Sequence, residues 1–488
     1  MKEWRLALVR AREEFIEGMT RRGFRLDATA GVLRGSVEVP GHGSRSLEIS
    51  IPDGFPFQRP RVRWAEPQPT ISWHRERDGA LCLWPADARH PWLDADALLR
   101  RVVEWFVRDA TGWSGDEPDL DLERYFDRGD GLVVYKNIER LVGHRIRIQP
   151  RGPVIQVLGI APEGKKNWHG VSGFDGGWAA SLGELETPVH DWKTVAHAFG
   201  GNADRVAEEI HKGKGHLLLL RYTRRNHTGA IALHATRGGP VKLRAYEAAD
   251  ASARTLELRA GQAAPLLATR SVAVVGIGAV GSFLADLLAR SGVARLHLQD
   301  GQVLRPGNCV RHLASLNLVG WNKAQAVKEM LISTRGLESR RVTIASASLT
   351  TPDDAHELLR RHDLVIDATA SGLASSMLGF LSEATGRQLL SVCVQRDGGI
   401  VRCDRWPLCE GESHLPPVPP VTPGSTLREA GCGDAVSSTP PAAVIAAAEL
   451  ACRMTSDILS GTGRLPASMV HVLTPQPDPP YERVGILA

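Results

Sequence analysis

Two kinds of pattern in this 488-residue chain could do chemistry. The first is a glycine loop. Gly276, Gly278 and Gly281 form G-x-G-x-x-G within "SVAVVGIGAVGSFLADLLARSG", directly after a strand-like run and directly before a helical one. Glycines there let the backbone approach a phosphate, and the helix N-terminus supplies amide donors and positive potential. Asp300 ends the next strand-like segment, "ARLHLQD". It lies about twenty residues on, where a carboxylate accepts from ribose hydroxyls. Alone, the motif suggests NAD, or a tight strand–helix turn with no ligand. The residues that follow suit ATP with magnesium better: Asn308 and Arg311 in "PGNCVRH", Lys323 in "VGWNKAQ" and Asp367 in "DLVIDATA". Arginine and lysine would hold the β- and γ-phosphates, and the strand-end carboxylate would hold Mg2+. Taken singly, Arg311 and Lys323 also read as solvated surface charges, and Asp367 as the cap of the next helix.

The second pattern is a pair of thiols in loops. Cys82 sits between two leucines in "RDGALCLWP", just after an Asp-Gly turn, and Cys432 lies in "REAGCGDAVSSTPPAAVIAAAEL", shortly before a helical run. A free cysteine is most often a small buried apolar residue. As a thiolate it is a nucleophile that turns an activated acyl group into a transferable thioester. Cys393 falls inside a strand and reads as core, while Cys403 and Cys409 compete with Cys432 for the nucleophile's role. The seven cysteines are an odd number with no C-x-x-C pair. That disfavours a disulfide framework and a structural zinc site, which Cys403, Cys409 and His414 could only be pieced into. It fits a reducing cytoplasm.

The elements that must position these residues fall into three regions, as the length of the chain demands. Residues 1–130 open on a helix in which Trp4, Leu8, Phe15 and Met19 recur at helical spacing. An antiparallel meander follows, with Leu47, Ile49 and Ile51 alternating. Then come the proline-rich "DGFPFQRPRVRW", the Cys82 loop and a helix from about Asp96 to Asp109. The order is α+β. Residues 131–265 read as mixed α/β, with strands in "RIRIQPRGPVIQVLGIA" and "GHLLLLRYTRR", one or two helices between them, and no catalytic signature. Residues 266–488 alternate strand and helix, the pattern of a Rossmann-like parallel sheet covered on both faces. Their last helix begins near Pro440, with Thr439 a reasonable cap.

Charge and hydropathy exclude some classes. The chain has 59 basic and 55 acidic residues, net +4, with no long basic run. That argues against nucleic acid as a partner. No segment reaches the roughly 18 uninterrupted apolar residues of a membrane span. The N-terminal "MKEWRLALVRAREEF" lacks the apolar core of a signal peptide.

"GIGAVGS", the aspartate, N-x-x-R, K-A and D-A-T resemble the adenylation domain of the ThiF/MoeB and ubiquitin-activating enzyme superfamily, over about Ala268–Met454. The resemblance implies adenylation of the C-terminal carboxylate of a ubiquitin-like or sulfur-carrier protein. It places Gly276, Gly278, Gly281, Asp300, Asn308, Arg311, Lys323 and Asp367 on ATP- and magnesium-binding positions. The register between Asp300 and Asn308 departs from the usual one. It also implies thioester formation on Cys432, an upstream arginine for which Arg254 and Arg259 both qualify, and a homodimer through this domain. Trp4–Trp113 in turn resembles a ubiquitin-conjugating enzyme. "FPFQRPRVRW" stands for the usual Tyr-Pro-Phe-x-x-Pro-x-Val-x-Phe, and Gly79 stands three residues before an acceptor Cys82. The family's His-Pro-Asn motif is missing. "SWHRERDG" offers His74 for its structural part, and His90 in "ARHPW" could orient or deprotonate an incoming amine. The whole chain is similar to bacterial fusions of conjugating and activating domains from antiphage defence operons of the CBASS type. In those, a ubiquitin-like protein or the C-terminus of a nucleotidyltransferase is joined to a protein target. Three other readings compete: an adenylyltransferase for a sulfur carrier, an NAD-dependent oxidoreductase, and a binding protein that has lost its chemistry.

Overall fold

The computed structural model describes residues 3–27, 29–65, 71–84, 91–113, 120–162, 174, 176–213, 215–419 and 438–488. They fall into two compact units, Met1–Ser252 and Ala253–Ala488. The boundary expected near residue 130 runs through a strand of the first unit, so the two upstream regions share one body.

Phe15 and Met19, four residues apart, bury the inner face of helix α1 (Glu3–Arg21). Strands β1 (Arg25–Asp27), β2 (Val32–Val39), β3 (Gly43–Ser50) and β4 (Arg61–Trp64) pair as an antiparallel meander in chain order. Alternation sends Leu33, Val37, Leu47 and Ile49 to the core while their neighbours face outward. Helix α2 (Ala95–Thr111) starts at Asp94, whose carboxylate accepts from the Asp96 amide, and it buries Leu98, Val102, Trp105 and Phe106. Helix, meander, long loop and helix thus occur in the order the sequence predicts.

Downstream, the chain closes into a seven-stranded barrel. Its strands are β5 (Asp127–Tyr135), β6 (Arg145–Arg151), β7 (Val154–Ile160), β8 (Gly176–Glu184), β9 (His216–Arg224), β10 (His227–Thr236) and β11 (Lys242–Asp250). The order around the barrel is β10-β11-β5-β7-β6-β8-β9. Helices α3 (Ile138–Leu141), α4 (Trp192–Val195) and α5 (Ala203–Lys212) supply the helical part. The run Leu217–Leu220 is buried throughout because β9 is covered on both faces. Leu217 and Leu219 join Val133, Ile146 and Ala232, while Leu218 and Leu220 join Val206 and Ile210 of α5. That second cluster also contains Trp73, Leu122 and Tyr125. The segment leading to Cys82 is therefore rooted in the packing outside the barrel.

The second unit opens on short helices α6 (Ala253–Glu257) and α7 (Ala264–Leu267). Its sheet holds β12 (Ser271–Val275), β13 (Arg295–Gln299), β14 (Val342–Ala345), β15 (Leu364–Asp367), β16 (Leu389–Gln395), β17 (Ile400–Trp406), β18 (Ser468–Val472) and β19 (Gly485–Leu487). The order is β14-β13-β12-β15-β16-β17-β18-β19, parallel from β14 to β16 and antiparallel beyond. Helices α8 (Ala279–Arg290), α9 (Lys323–Arg335) and α12 (Pro441–Ser460) share one core layer; α10 (Pro352–Arg361) and α11 (Gly372–Thr385) share the other. This is a doubly wound sheet whose chain reverses direction between β12 and β15, where such folds leave a crevice. The cap of α12 differs from expectation. Pro440 holds the N-cap position, and the carbonyl of Thr439 accepts from Arg311 instead.

Candidate active site

The three glycines have three different reasons to be glycine. Gly276 has φ +88°, and a Cβ there would stand 2.6 Å from the backbone of Thr369. At Gly281 a Cβ would lie 2.0 Å from the Gly276 carbonyl oxygen, so glycine lets α8 pack onto its own loop. A Cβ on Gly278 would meet nothing within 4 Å. Gly278 is the N-cap of α8 and gives it no side-chain cap, so amides of the first turn open onto that space. Protein packing accounts for Gly276 and Gly281. At Gly278 the cradle suits a phosphate.

Around this loop the structure gathers most of the expected residues. The carboxylate of Asp300 accepts from the amides of Ile277 (2.8 Å) and Gln302 (2.7 Å), so it braces the glycine loop. Lys323 is 8% exposed, and its ammonium donates to Gln302 Oε1 at 2.7 Å. An ammonium has three donors, and among the described residues Gln302 is the one hydrogen-bond partner. Burial holds the Lys323 amine below the usual lysine range, an effect that nearby Asp300 opposes. Asp367 ends β15 in register with Val275 and is 2% exposed. It accepts from the Thr369 amide (3.0 Å), the Thr369 hydroxyl (2.7 Å) and the Ser375 hydroxyl (2.5 Å). A carboxylate has about four acceptor sites, so a place remains for a cation also held by phosphates and water. Among the described residues no group of three His, Cys, Asp or Glu side chains could hold a metal alone. Asn308 accepts from the Arg305 amide at 3.0 Å and shapes a 3-10 turn; Arg311, at the end of that turn, donates to Thr439 O at 2.9 Å.

The sequence reading missed the groups that hold this frame. His312 is buried and packs beneath the loop. Its Nδ1 accepts from the Ala314 amide at 3.0 Å, which leaves Nε2 to donate to Ile277 O at 2.9 Å. Burial pushes its imidazole below the ordinary histidine range. Asn322 caps α9 by accepting from the amides of Ala324 and Gln325, and its side-chain amide donates to Asp300 O at 2.7 Å. Both adjoin motif residues, in "VRH" and "WNK", and that adjacency was the available signal. Arg254 and Arg259 are exposed.

Cys432 lies outside the described residues. The chain on either side of it is fixed near this end of the sheet: Arg396 donates to Pro419 O at 2.7 Å, and a Cβ at Gly398 would lie 2.4 Å from Pro440 Cδ. Its competitors separate. Cys403 is fully buried in β17 and its thiol is pushed well above the usual range, so it has neither access nor thiolate character. Cys393 is pushed up to about 11 by burial. Cys409 is exposed, with Arg405 Nη1 3.7 Å from its sulfur.

In the first unit, Gly79 (φ +80°) turns the chain after Asp78. Leu81 and Leu83 are buried, and Cys82 between them is partly exposed. The extended segment thus anchors two leucines and presents the thiol on the opposite side. The Cys82 amide donates to His74 O at 2.9 Å, which also accepts from Trp105 Nε1 at 3.0 Å. The His74 ring stacks on Trp113 with centroids 3.5 Å apart. His74 supports the cysteine through its backbone, with its ring committed to packing. Arg124, not anticipated from the sequence, places Nη1 3.7 Å from Cys82 Sγ. His90 lies outside the described residues.

A glycine loop at the crevice of a doubly wound sheet, with a buried lysine, an arginine and a buried carboxylate nearby, defines a doubly wound α/β domain with a cradle that suits a phosphate. Residues 256–397 match the model of the ThiF family, so the C-terminal unit carries a ThiF domain. An uncharacterized protein, y4qC of Sinorhizobium fredii, is 26% identical over 418 residues, 75% of this chain and 71% of that protein. The ATP-dependent ubiquitin transferase-like protein Cap2 of Pseudomonas aeruginosa is 30% identical over 244 residues, 44% of this chain and 42% of Cap2. The adenylyltransferase and sulfurtransferase MOCS3 of Sus scrofa is 35% identical over 134 residues, 27% of this chain and 29% of MOCS3. The matched stretches span less than half of the latter two proteins. Among the described residues no helix is long and apolar enough to cross a membrane.

Proposed function

We propose that this chain activates and conjugates a small protein modifier. It adenylates the modifier's C-terminal carboxylate with ATP, takes the acyl group as a thioester on Cys432, passes it to Cys82 and delivers it to an amine on a protein target. The modifier is a ubiquitin-like protein or the C-terminus of a nucleotidyltransferase, and the setting is antiphage defence. The similarity to Cap2 supports this reading. The observation that carries it is the open cradle at Gly278, with the buried Lys323 held by Gln302 beside the loop-bracing Asp300, on the same chain as a partly exposed thiol, Cys82, between two buried leucines.

In this scheme the α8 amides and Lys323 hold ATP phosphates, and Arg311 joins them after leaving Thr439 O. Asp367 would hold Mg2+, which would offset charge on the phosphates. Asp300 and His312 keep the loop in shape. Attack of the modifier's carboxylate on the α-phosphorus forms the acyl-adenylate and releases pyrophosphate. A thiolate then displaces AMP. Exchange between thioesters is nearly balanced in energy, so passage from Cys432 to Cys82 depends on proximity, which fusion in one chain provides. A homodimer through the adenylation domain belongs to the proposal.

The match to MOCS3 favours a second reading, an adenylyltransferase for a sulfur carrier, in which Cys82 has no part. Modifier-dependent ATP–pyrophosphate exchange, measured with magnesium and small proteins encoded beside this chain, tests the shared first step. Absence of exchange with every candidate, together with tight NAD binding, would move the assignment to an oxidoreductase.

A further inference from the structure

We infer that Arg124 is the group that prepares Cys82 for acyl transfer. The inference rests on the reading of Cys82 as an acyl carrier. Arg124 lies in a 3-10 turn (Glu123–Tyr125) just before β5, more than forty positions from the thiol along the chain, and it reaches back with Nη1 3.7 Å from Sγ. Its other terminal nitrogen, Nη2, donates to Trp73 O and to Tyr125 Oη (3.0 Å). Tyr125 is fully buried, and its hydroxyl donates to Ser72 O at 2.8 Å. The guanidinium is thus clamped to the Ser72–His74 segment, whose last carbonyl holds the Cys82 amide. One rigid cluster fixes both the thiol's backbone and a cation beside its sulfur. Trp73 and Tyr125, edge to face at 6.0 Å, tie this cluster into the packing outside the barrel. The turn that leads into the barrel, anchored in this packing, holds a guanidinium beside the thiol.

The chemistry follows from charge. A neighbouring guanidinium favours thiolate over thiol, and thiolate is the nucleophile. Cys82 gives its proton to solvent. The thiolate attacks the thioester carbonyl, a bond from carbon to Cys82 sulfur forms, the bond to Cys432 sulfur breaks, and Cys432 leaves as a thiolate. In the onward step an amine nitrogen bonds to the same carbon, the bond to Cys82 sulfur breaks, and the amine's proton passes to solvent. Cys82 sulfur is negative on entry and again on departure, and Arg124 faces it both times. A fixed cation stabilises such charge without reorganising during the reaction.

Alkylation by iodoacetamide tests this on the full chain without any modifier. Rates at Cys82 and Cys409 are followed by peptide mass spectrometry at pH 7. Arg124→Gln should slow Cys82 about three- to fivefold, the loss of thiolate being partly offset by greater nucleophilicity of what remains, and Arg124→Lys should recover most of that loss. Cys409, with its own Arg405, should react at the unsubstituted rate in both variants. Arg124→Gln alkylating Cys82 at the unsubstituted rate would overturn the inference. So would failure of Arg124→Lys to react faster than Arg124→Gln while Cys409 is unchanged, since that pattern marks a purely structural loss. If Arg124→Gln does not fold, Arg124→Lys decides alone: a Cys82 rate equal to that of the urea-unfolded chain would overturn it. A separate arm tests the carrier reading. Conjugation unaffected by Cys82→Ala would sink that reading, and the alkylation result would still decide whether Arg124 activates the thiol.

Discussion

At Lys323 the proposed function and the stability of the fold make opposite demands. Its ammonium is buried beside a glutamine oxygen, and burial holds its pKa below 10.5. Between the lowered folded value and the unfolded value near 10.5, the unfolded chain binds more protons, so this group makes stability rise with pH across that window. Lys323→Met should therefore leave the melting temperature at pH 7 unchanged or higher, while modifier-dependent ATP–pyrophosphate exchange falls about 100-fold or more. Equal loss of both would mark Lys323 as a structural residue. Histidines give the opposite flank of the pH profile. His312 and His297 are held below 6.5 by burial, and His362, stacked on His297 with centroids 5.4 Å apart, is pushed down to about 4. Below pH 6.5 the unfolded chain takes up protons that these folded imidazoles refuse, so stability should fall as pH drops from 6.5 towards 4. Urea titrations at a series of pH values measure this. His362→Gln should flatten the slope, and an unchanged slope would contradict the assignment.

Between β12 and α8 the glycine loop makes a claim that two alanines can separate. Gly281→Ala drives a Cβ into the Gly276 carbonyl and should destabilise the unit by about 1–3 kcal/mol. Gly278→Ala meets no protein atom, so its stability should change by about 1 kcal/mol or less. Its ATP–pyrophosphate exchange should still fall at least tenfold, because the added methyl occupies the phosphate's space. Chemical denaturation beside the exchange assay reads both. This strand, loop and helix were legible in the sequence because all three signals are local: an apolar run, a glycine spacing and a helical period. Within the barrel, β6, β7 and β9 were legible for the same reason. Strands β5, β8, β10 and β11 were not, because their pairing is decided by distant partners, and small residues such as Ala179, Ala180 and Ala232 blur the alternation. Nor could any pattern show Arg124 reaching Cys82, since the two lie more than forty positions apart and meet only through the packing around Trp73 and Tyr125. Arg311, Lys323 and Asp367 could be named from type and spacing. His312 and Asn322 act through hydrogen bonds to backbone carbonyls, and Gln302 through one side-chain contact to Lys323, none of which leaves a spacing to read.

At the scale of the whole chain, the proposed function requires a thioester-forming unit and an acceptor thiol in a second compact unit. Order of loading is its central claim: Cys432 first, Cys82 second. The most direct measurement is a non-reducing gel of the chain incubated with ATP, magnesium and the small proteins encoded beside it. The account predicts a thiol-sensitive adduct that persists in Cys82→Ala, disappears in Cys432→Ala, and yields no target conjugate in Cys82→Ala. An adduct unaffected by either substitution, or conjugates formed without Cys82, would contradict it.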